Sequence, residues 1–393
     1  MNYLAEKDIC CGCGACENIC PTKAISMKYD SEGFLYPELN ENTCINCRAC
    51  EKVCPLKCEV KSDDYLKTYA GYSSDADVMA HCTSGGFATE LSRLVLKKGG
   101  VVFGVKYASD FIKAEYSLVE NEDELFSLMG SKYVQSEKGD VFKKVKETLS
   151  GGKTALFVGC PCDVSALKLF LKKDYENLIT CELVCMGVTS YKIAEEFKEY
   201  TEKKNGAKLT YINARSKKNG WFVPHLEERF DNGKTKLTTL FGSYYGYGFQ
   251  VYNRPSCFNC IYRDKSGVAD FRVGDFWGIK ETDEFWNPDG VSCIFARSEK
   301  ALSLAGELEA RGFKLFETDY KKATVNNMSS LHNKSERYVL LREKFAEIYK
   351  QEGLVKACKK TETVSVKIKR LLPKRMRALA KKLYHKLHDR KVD

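Results

Sequence analysis

No run of about 18 apolar residues occurs in this 393-residue chain, so no segment reads as a membrane-crossing helix. The first residues, Met1 to Lys7, also lack an apolar signal core. Both absences point to a cytoplasmic, reducing location, where the 19 cysteines read as metal ligands plus buried thiols rather than as disulfides. Two nucleotide signatures are missing as well. Gly151-Gly152-Lys153-Thr154 looks like the end of a phosphate loop, but Glu147 stands where the loop's first glycine belongs. No G-x-G-x-x-G follows a strand, so the usual dinucleotide fingerprint is absent. A broad basic surface is lacking too. Of the net charge of +10, residues 363–393 hold nine, with seven Lys and four Arg against Asp389 and Asp393. The balanced remainder excludes a general nucleic-acid surface.

What is present is a cysteine pattern that occurs twice. Cys10, Cys13, Cys16 and Cys20 follow C-x2-C-x2-C-x3-C with Pro21 after the last, and Cys44, Cys47, Cys50 and Cys54 repeat the spacing before Pro55. This is the bacterial two-cluster ferredoxin spacing. Three thiolates two residues apart curl around one iron-sulfur cube, while the fourth points to the neighbouring cube. The expected ligand sets therefore cross: Cys10, Cys13, Cys16 and Cys54 on one 4Fe-4S cluster, Cys44, Cys47, Cys50 and Cys20 on the other. Gly12 and Gly14 suit a loop whose amides must turn toward the cluster sulfurs. A zinc site would need only four ligands and no doubled spacing. Cys11 and Cys58 fall outside the pattern, and Cys11 reads as a spare thiol. The oxygen sensitivity of such clusters points to an anaerobic host.

After a polar linker from Lys57 to Lys67, Thr83-Ser84-Gly85-Gly86 precedes a helical pattern of Phe87, Leu91, Leu94 and Val95 that stops at Gly99-Gly100. Ser84 is the expected cap, and two glycines in the first turn would leave amides open to an anion. Val101 to Val105, Glu115 to Val119, Thr154 to Val158 and Ile179 to Val184 read as strands. Between them, Gly130 to Ser136 is a polar loop around Lys132, a residue type that is usually solvated. Gly159-Cys160-Pro161-Cys162 and then Cys185 to Ser190 follow expected parallel strands at their carboxyl ends, where open α/β sheets bind ligands. From Leu209 the texture turns to β, with a hairpin around Asp231-Asn232-Gly233. Arg254 to Cys260 then carries Cys257 and Cys260 as a C-x2-C pair, half of a metal site, for which Cys162 and Cys185 are the best placed partners.

Thr83 to Gly86, Gly130 to Tyr133, Gly159 to Cys162, Cys185 to Ser190 and Arg254 to Gly278, in that order, resemble the coenzyme F420 hydrogenase/dehydrogenase beta-subunit family fused behind a ferredoxin domain. The resemblance spans residues 65 to 300. It implies an FAD between an α/β layer and a β-rich part, contacted by Ser84, Gly85, Gly86 and Lys132, and a third 4Fe-4S cluster on Cys162, Cys185, Cys257 and Cys260. Asp275 and Trp277 would line the flavin pocket, although a strand ending in a tight glycine turn accounts for them as well. Two departures from the family's pattern matter. Cys160 replaces the threonine of Gly-Thr-Pro-Cys and competes with Cys162 as ligand. Met186 and Thr189 stand where the family reads His and Pro, which removes a histidine from the redox centre and puts a deazaflavin substrate in question. His81 is the available substitute.

The expected fold class is α+β: a ferredoxin-like domain over 1–60, a larger α/β and β-rich flavin-binding body over 65–150 and 151–345, and a basic amphipathic tail over 361–393. The tail either docks to an anionic membrane or an acidic partner, or is a solvated helix. The expected function is an electron-transferring iron-sulfur flavoenzyme. Its partners would be ferredoxin or another redox protein and a deazaflavin or other small molecule, with no nucleic acid. A non-catalytic relay subunit of a hydrogenase or dehydrogenase is the competing reading.

Overall fold

The computed structural model describes residues 3–58, 62–327 and 332–362. The expected basic tail at 363–393 therefore lies outside the described residues. The N-terminal part is small: strands β1 (Ile25–Tyr29) and β2 (Leu35–Leu39) pair antiparallel, and the short helix Ala15–Ile19 lies beside them. Both cysteine repeats turn the chain in the same way. Gly12 and Gly14 have φ of 69° and 72°, and their counterparts Asn46 and Arg48 have φ of 55° each. Left-handed residues on either side of the middle cysteine curl each loop inward.

The body is organised on one nine-stranded sheet. Its strands are β3 (Lys67–Tyr72), β4 (Val101–Tyr107), β5 (Ala114–Val119), β6 (Ser136–Glu137), β7 (Ala155–Gly159), β8 (Leu178–Leu183), β12 (Phe271–Asp275), β13 (Ser292–Ala296) and β14 (Lys314–Thr318). The intervening β9 (Leu209–Ser216), β10 (His225–Phe230) and β11 (Thr235–Thr239) form a separate antiparallel sheet in the order β11-β10-β9. The large sheet runs β14-β3-β13-β12-β8-β7-β4-β5-β6, and its centre, β12-β8-β7-β4, is parallel. The segments 65–150 and 151–345 thus share one sheet: β4 pairs with β7 and β3 with β13.

Helices cover both faces, as a parallel sheet requires. On one side Phe87, Leu91, Leu94 and Val95 of the helix Phe87–Lys97 pack with Ala301, Ala305 and Leu308 against β4, β7, β8 and β12. On the other, the helices Val141–Ser150 and Pro161–Leu171 bury Phe142, Val145, Leu167 and Phe170, and Ala15 and Val53 of the N-terminal part join this same core. The three-stranded sheet packs on the helices Tyr191–Asn205 and Tyr244–Val251 and on the helical stretch Glu336–Thr361, which is broken at Gly353 (φ 76°). The expected mixture of α/β and β-rich layers is present. Among the described residues no helix is long and apolar enough to cross a membrane.

Candidate functional site

The carboxyl ends of β7, β8 and β12 all open into one cavity of about 960 Å³. That is the upper part of the size range for small-molecule and cofactor sites. One wall is sulfur-rich. Cys160 and Cys162 enter at the start of Pro161–Leu171, Cys185 follows β8, and Cys257 and Cys260 come from the turn after the Tyr244–Val251 helix. Cys160 and Cys185 lie close together, and their interaction pushes the Cys160 thiol up and holds Cys185 below the usual thiol range. The Gly187 amide donates to Cys185 Sγ at 3.3 Å, and Arg263 donates to the carbonyls of Cys185 (2.7 Å) and Cys257 (3.3 Å). Both Cys160 and Cys162 therefore reach the site. Cys11, a spare thiol by its spacing, lies against Cys162.

Beside this wall sits a buried charged group. Lys138 and Asp163 pair at 3.1 Å with side chains only 7% and 5% exposed, and Tyr116 donates its hydroxyl to Asp163 at 3.1 Å. Burial would lower the Lys138 ammonium, but Asp163 outweighs it and holds the pKa above its ordinary value.

The same cavity takes in residues that the family resemblance singled out. Ser84, Gly86, Lys132, Asp275 and Trp277 line the cavity. Gly85 does not; it packs so tightly on the sheet that an added Cβ would stand 2.1 Å from the Gly71 carbonyl oxygen. Ser84 is not a helix cap. The helix starts after Gly86 (φ 84°), while the Ser84 hydroxyl donates to the Val291 carbonyl at 2.7 Å and the Gly85 amide to Ser292 Oγ at 3.0 Å. These bonds tie the segment to β13 and its approach, so the glycines precede the first turn rather than forming it. Lys132 is not a solvated loop lysine: its ammonium donates to the carbonyls of Leu128 (2.8 Å) and Met129 (2.9 Å), and desolvation brings its pKa down to about 7.

Asp275 is held from three directions. Arg215 donates two hydrogen bonds to it (2.8 and 2.9 Å) and the Trp221 indole a third (2.9 Å). Trp277 stacks on Trp221 with ring centroids 5.3 Å apart and planes 4° from parallel, and the Arg215 guanidinium lies 5.2 Å from the Trp277 ring. Lys217 closes the same side, donating to the carbonyls of Ser84 (2.6 Å) and Met79 (2.9 Å). Arg215, Lys217 and Trp221 carry no motif; only the packing of the three-stranded sheet against the large one brings them here.

His81 does not serve the site. It is exposed, bound through Nδ1 to the Asp77 carbonyl at 2.8 Å, and off the cavity wall. Among the described residues no histidine lines the cavity, while Met186 does. Thr189 is fully buried and donates to the Tyr252 carbonyl at 2.6 Å, a structural bond behind the wall.

In the N-terminal part, Cys10, Cys13, Cys16 and Cys54 surround one small cavity together with Cys11 and Cys50, and Cys16 lies within electrostatic reach of Cys10 and Cys54. Both Cys50 and Cys54 of the second repeat thus stand with the first. Cys20 has left that group: its Sγ accepts from the Ala24 amide at 3.2 Å. Cys44 and Cys47 do not line this cavity, and Cys47 is exposed. Among the described residues no three acidic, histidine or cysteine side chains close around a single metal ion. The joint with the body is tight. Arg254, fully buried one residue before Pro255, donates Nε to the Cys10 carbonyl at 2.6 Å and Nη1 to Gln135 at 3.1 Å.

Comparison with known proteins covers the same regions. Residues 68–143 match the model described as coenzyme F420 hydrogenase/dehydrogenase, beta subunit N-term, and residues 152–320 match the model for the carboxyl-terminal part of that same beta subunit, together more than half of the chain. Residues 9–58 match a 4Fe-4S dicluster domain. A coenzyme F420-dependent sulfite reductase of Methanocaldococcus jannaschii is 24% identical over 319 residues, which is 79% of this chain and 48% of that protein. The chain thus spans about half the length of this relative. A solved chain of the F420-reducing NiFe hydrogenase complex of Methanosarcina barkeri superposes with a TM-score of 0.48 at 16% identity, covering 73% of this chain and 94% of that one.

Proposed function

From a chain that belongs to the coenzyme F420 hydrogenase/dehydrogenase beta-subunit family and carries a 4Fe-4S dicluster domain, we propose an iron-sulfur flavoprotein oxidoreductase. It passes electrons between ferredoxin-type clusters and a deazaflavin or another organic substrate by way of an FAD seated in the large cavity. The observation that carries this reading is that one cavity of cofactor size is lined both by Cys160, Cys162, Cys185, Cys257 and Cys260 and by Ser84, Gly86, Lys132 and Trp277.

The walls fit both groups. Cys185, Cys257, Cys260 and either Cys160 or Cys162 supply four thiols for a third 4Fe-4S cluster, with the Gly187 amide and Arg263 close by to stabilise negative sulfur. Ser84, Gly86 and Lys132 would contact the flavin. A bound flavin pools single electrons into the pair that a hydride acceptor needs. The protein's own part is positioning. The Arg215–Asp275–Trp221 network fixes the Trp277 ring against the cavity. Arg215 is locked to Asp275, whereas Lys132, with a pKa of about 7, is a cavity group able to hold or release a proton at neutral pH. Met186 in place of a histidine fits a proton supply of this kind.

A relay subunit is the second reading, favoured by the exposed Cys47 and by Ile45, 62% exposed, in the second cysteine repeat of the dicluster domain. Exposure of Cys47, a member of the expected ligand set, would bring that cluster within reach of a docking redox protein. The test is to reduce the protein anaerobically and offer it oxidised deazaflavin, a nicotinamide, or a ferredoxin. Rapid re-oxidation by a small organic acceptor supports the enzyme; re-oxidation by the protein acceptor alone overturns it in favour of the relay.

A further inference from the structure

Cysteines from two parts of the chain meet where the dicluster domain joins the body, and one of them belongs to neither expected ligand set. Cys11 is the one cysteine among the described residues that lines both the small cavity of the first repeat and the large cavity of the body. Its thiol lies close to that of Cys13 on one side and that of Cys162 on the other, and Cys260 is within electrostatic reach. We infer that Cys11 is the link through which electrons cross from the first ferredoxin cluster to the third cysteine set, acting as a positioning residue between two ligand shells and not as a ligand. The inference rests on the proposed third cluster.

The surroundings hold this thiol in place. The next residue, Gly12, has no room for a side chain: a Cβ there would stand 2.2 Å from the Gln135 amide nitrogen and 2.9 Å from both Arg254 Nη1 and the Leu35 carbonyl oxygen. The preceding carbonyl, that of Cys10, accepts from Arg254 Nε at 2.6 Å. Two buried side chains of the body therefore clamp the backbone on either side of Cys11. A further tie is the Asn18 side-chain amide, which donates to the Gly139 carbonyl at 2.7 Å. A spare thiol needs no such clamp. Each expected cluster already has four cysteines without it, so a fifth sulfur is not required for iron binding. A chain of sulfur contacts, Cys13 to Cys11 to Cys162, instead replaces a gap between the two sets. In the transfer step one electron leaves the reduced cluster on the dicluster side and arrives at the oxidised third cluster. No bond forms or breaks, no proton moves, and Cys11 begins and ends as a thiol.

The test compares the full-length protein, purified anaerobically, with Cys11→Ala, Cys11→Ser and, as a control at an unassigned cysteine outside the joint, Cys58→Ala. Iron per chain and the electron paramagnetic resonance spectrum of the reduced protein report the clusters, and flash injection of electrons followed by freeze-quench spectra reports the rate at which the third set is reduced. Iron content is expected to equal that of the unsubstituted protein in every variant. Electron arrival at the third set should slow about tenfold in Cys11→Ala, the effect typical of losing a group next to a ligand shell, and less in Cys11→Ser. Magnetic coupling between the sets should fall in parallel, with Cys58→Ala unchanged. Unaltered rates and coupling in both Cys11 variants overturn the inference, as does loss of about four irons, which would make Cys11 a ligand. About eight irons in the unsubstituted protein would remove the third cluster itself and with it the premise.

Discussion

Replacing Asp275 tests the rigid side of the cavity, and the structure sets the size of the effect. The Arg215 side chain is 6% exposed and that of Asp275 13%. Burial alone would push the guanidinium down, but the carboxylate more than offsets this and holds Arg215 above its ordinary value. Asp275→Ala leaves that buried cation unpaired, which costs about 3–5 kcal/mol. Loss of the Trp221 indole bond adds about 1 kcal/mol. Asp275→Asn keeps an acceptor for Trp221 and for one guanidinium N–H, so its cost is about 2 kcal/mol. Removing both charges together in Arg215→Met/Asp275→Leu should restore most of the loss, because an apolar pair of similar volume replaces a buried ion pair at little cost. The assay is anaerobic denaturant unfolding followed by tryptophan fluorescence, with retained flavin measured on the same samples. Flavin retention should fall modestly in the asparagine variant and further in the alanine, since Trp277 loses its support. A loss below about 1 kcal/mol in Asp275→Ala, or a double variant no better than the alanine, would refute the reasoning.

Lys132→Met removes the amine that titrates at about 7. Its folded pKa lies below the ordinary lysine value of 10.5, so the native protein binds fewer protons than the unfolded chain between these limits, and stability should rise with pH across that window. The methionine variant should lose this slope in unfolding measurements. It should also lose a severalfold weakening of flavin binding as pH rises through 7. Lys138→Met leaves Asp163 buried without its cation and should destabilise the protein by about 3–5 kcal/mol, read as a lower denaturation midpoint, with Lys138→Met/Asp163→Leu recovering. Arg254→Met cuts the bonds to Cys10 and Gln135 and should leave the N-terminal part more readily released by limited proteolysis, while the body's melting changes less.

The elements that depend on local pattern are legible in the sequence. The β10–β11 hairpin turns at Asp231-Asn232-Gly233, and apolar runs mark β4, β7 and β8 to within a residue or two, because a strand buried on both faces is a continuous hydrophobic run. Cys162 and Cys185, which follow the ends of β7 and β8, line the same cavity as the Cys257 and Cys260 pair. Other features depend on long-range packing and leave no local trace. Tyr244–Val251 is helical although rich in Tyr and Gly, since Gly246 and Gly248 let it press against Leu240 and Ile193. Arg215 reaches the cavity, and Lys217 and Trp221 reach the residues behind its wall, only through the juxtaposition of two sheets. Local spacing makes Ser84 a cap, whereas its hydroxyl bonds across the sheet to Val291, a residue 207 positions away. Cys11 looks spare for the same reason: its partner Cys162 lies in another part of the fold.

The most direct test of the account is the iron and acid-released flavin content per chain of anaerobically purified protein, measured beside Cys257→Ser. The account predicts about twelve irons and one FAD, with about four irons lost in the variant. About eight irons, no flavin and no effect of the substitution would contradict it, leaving a dicluster domain on a body without redox cofactors.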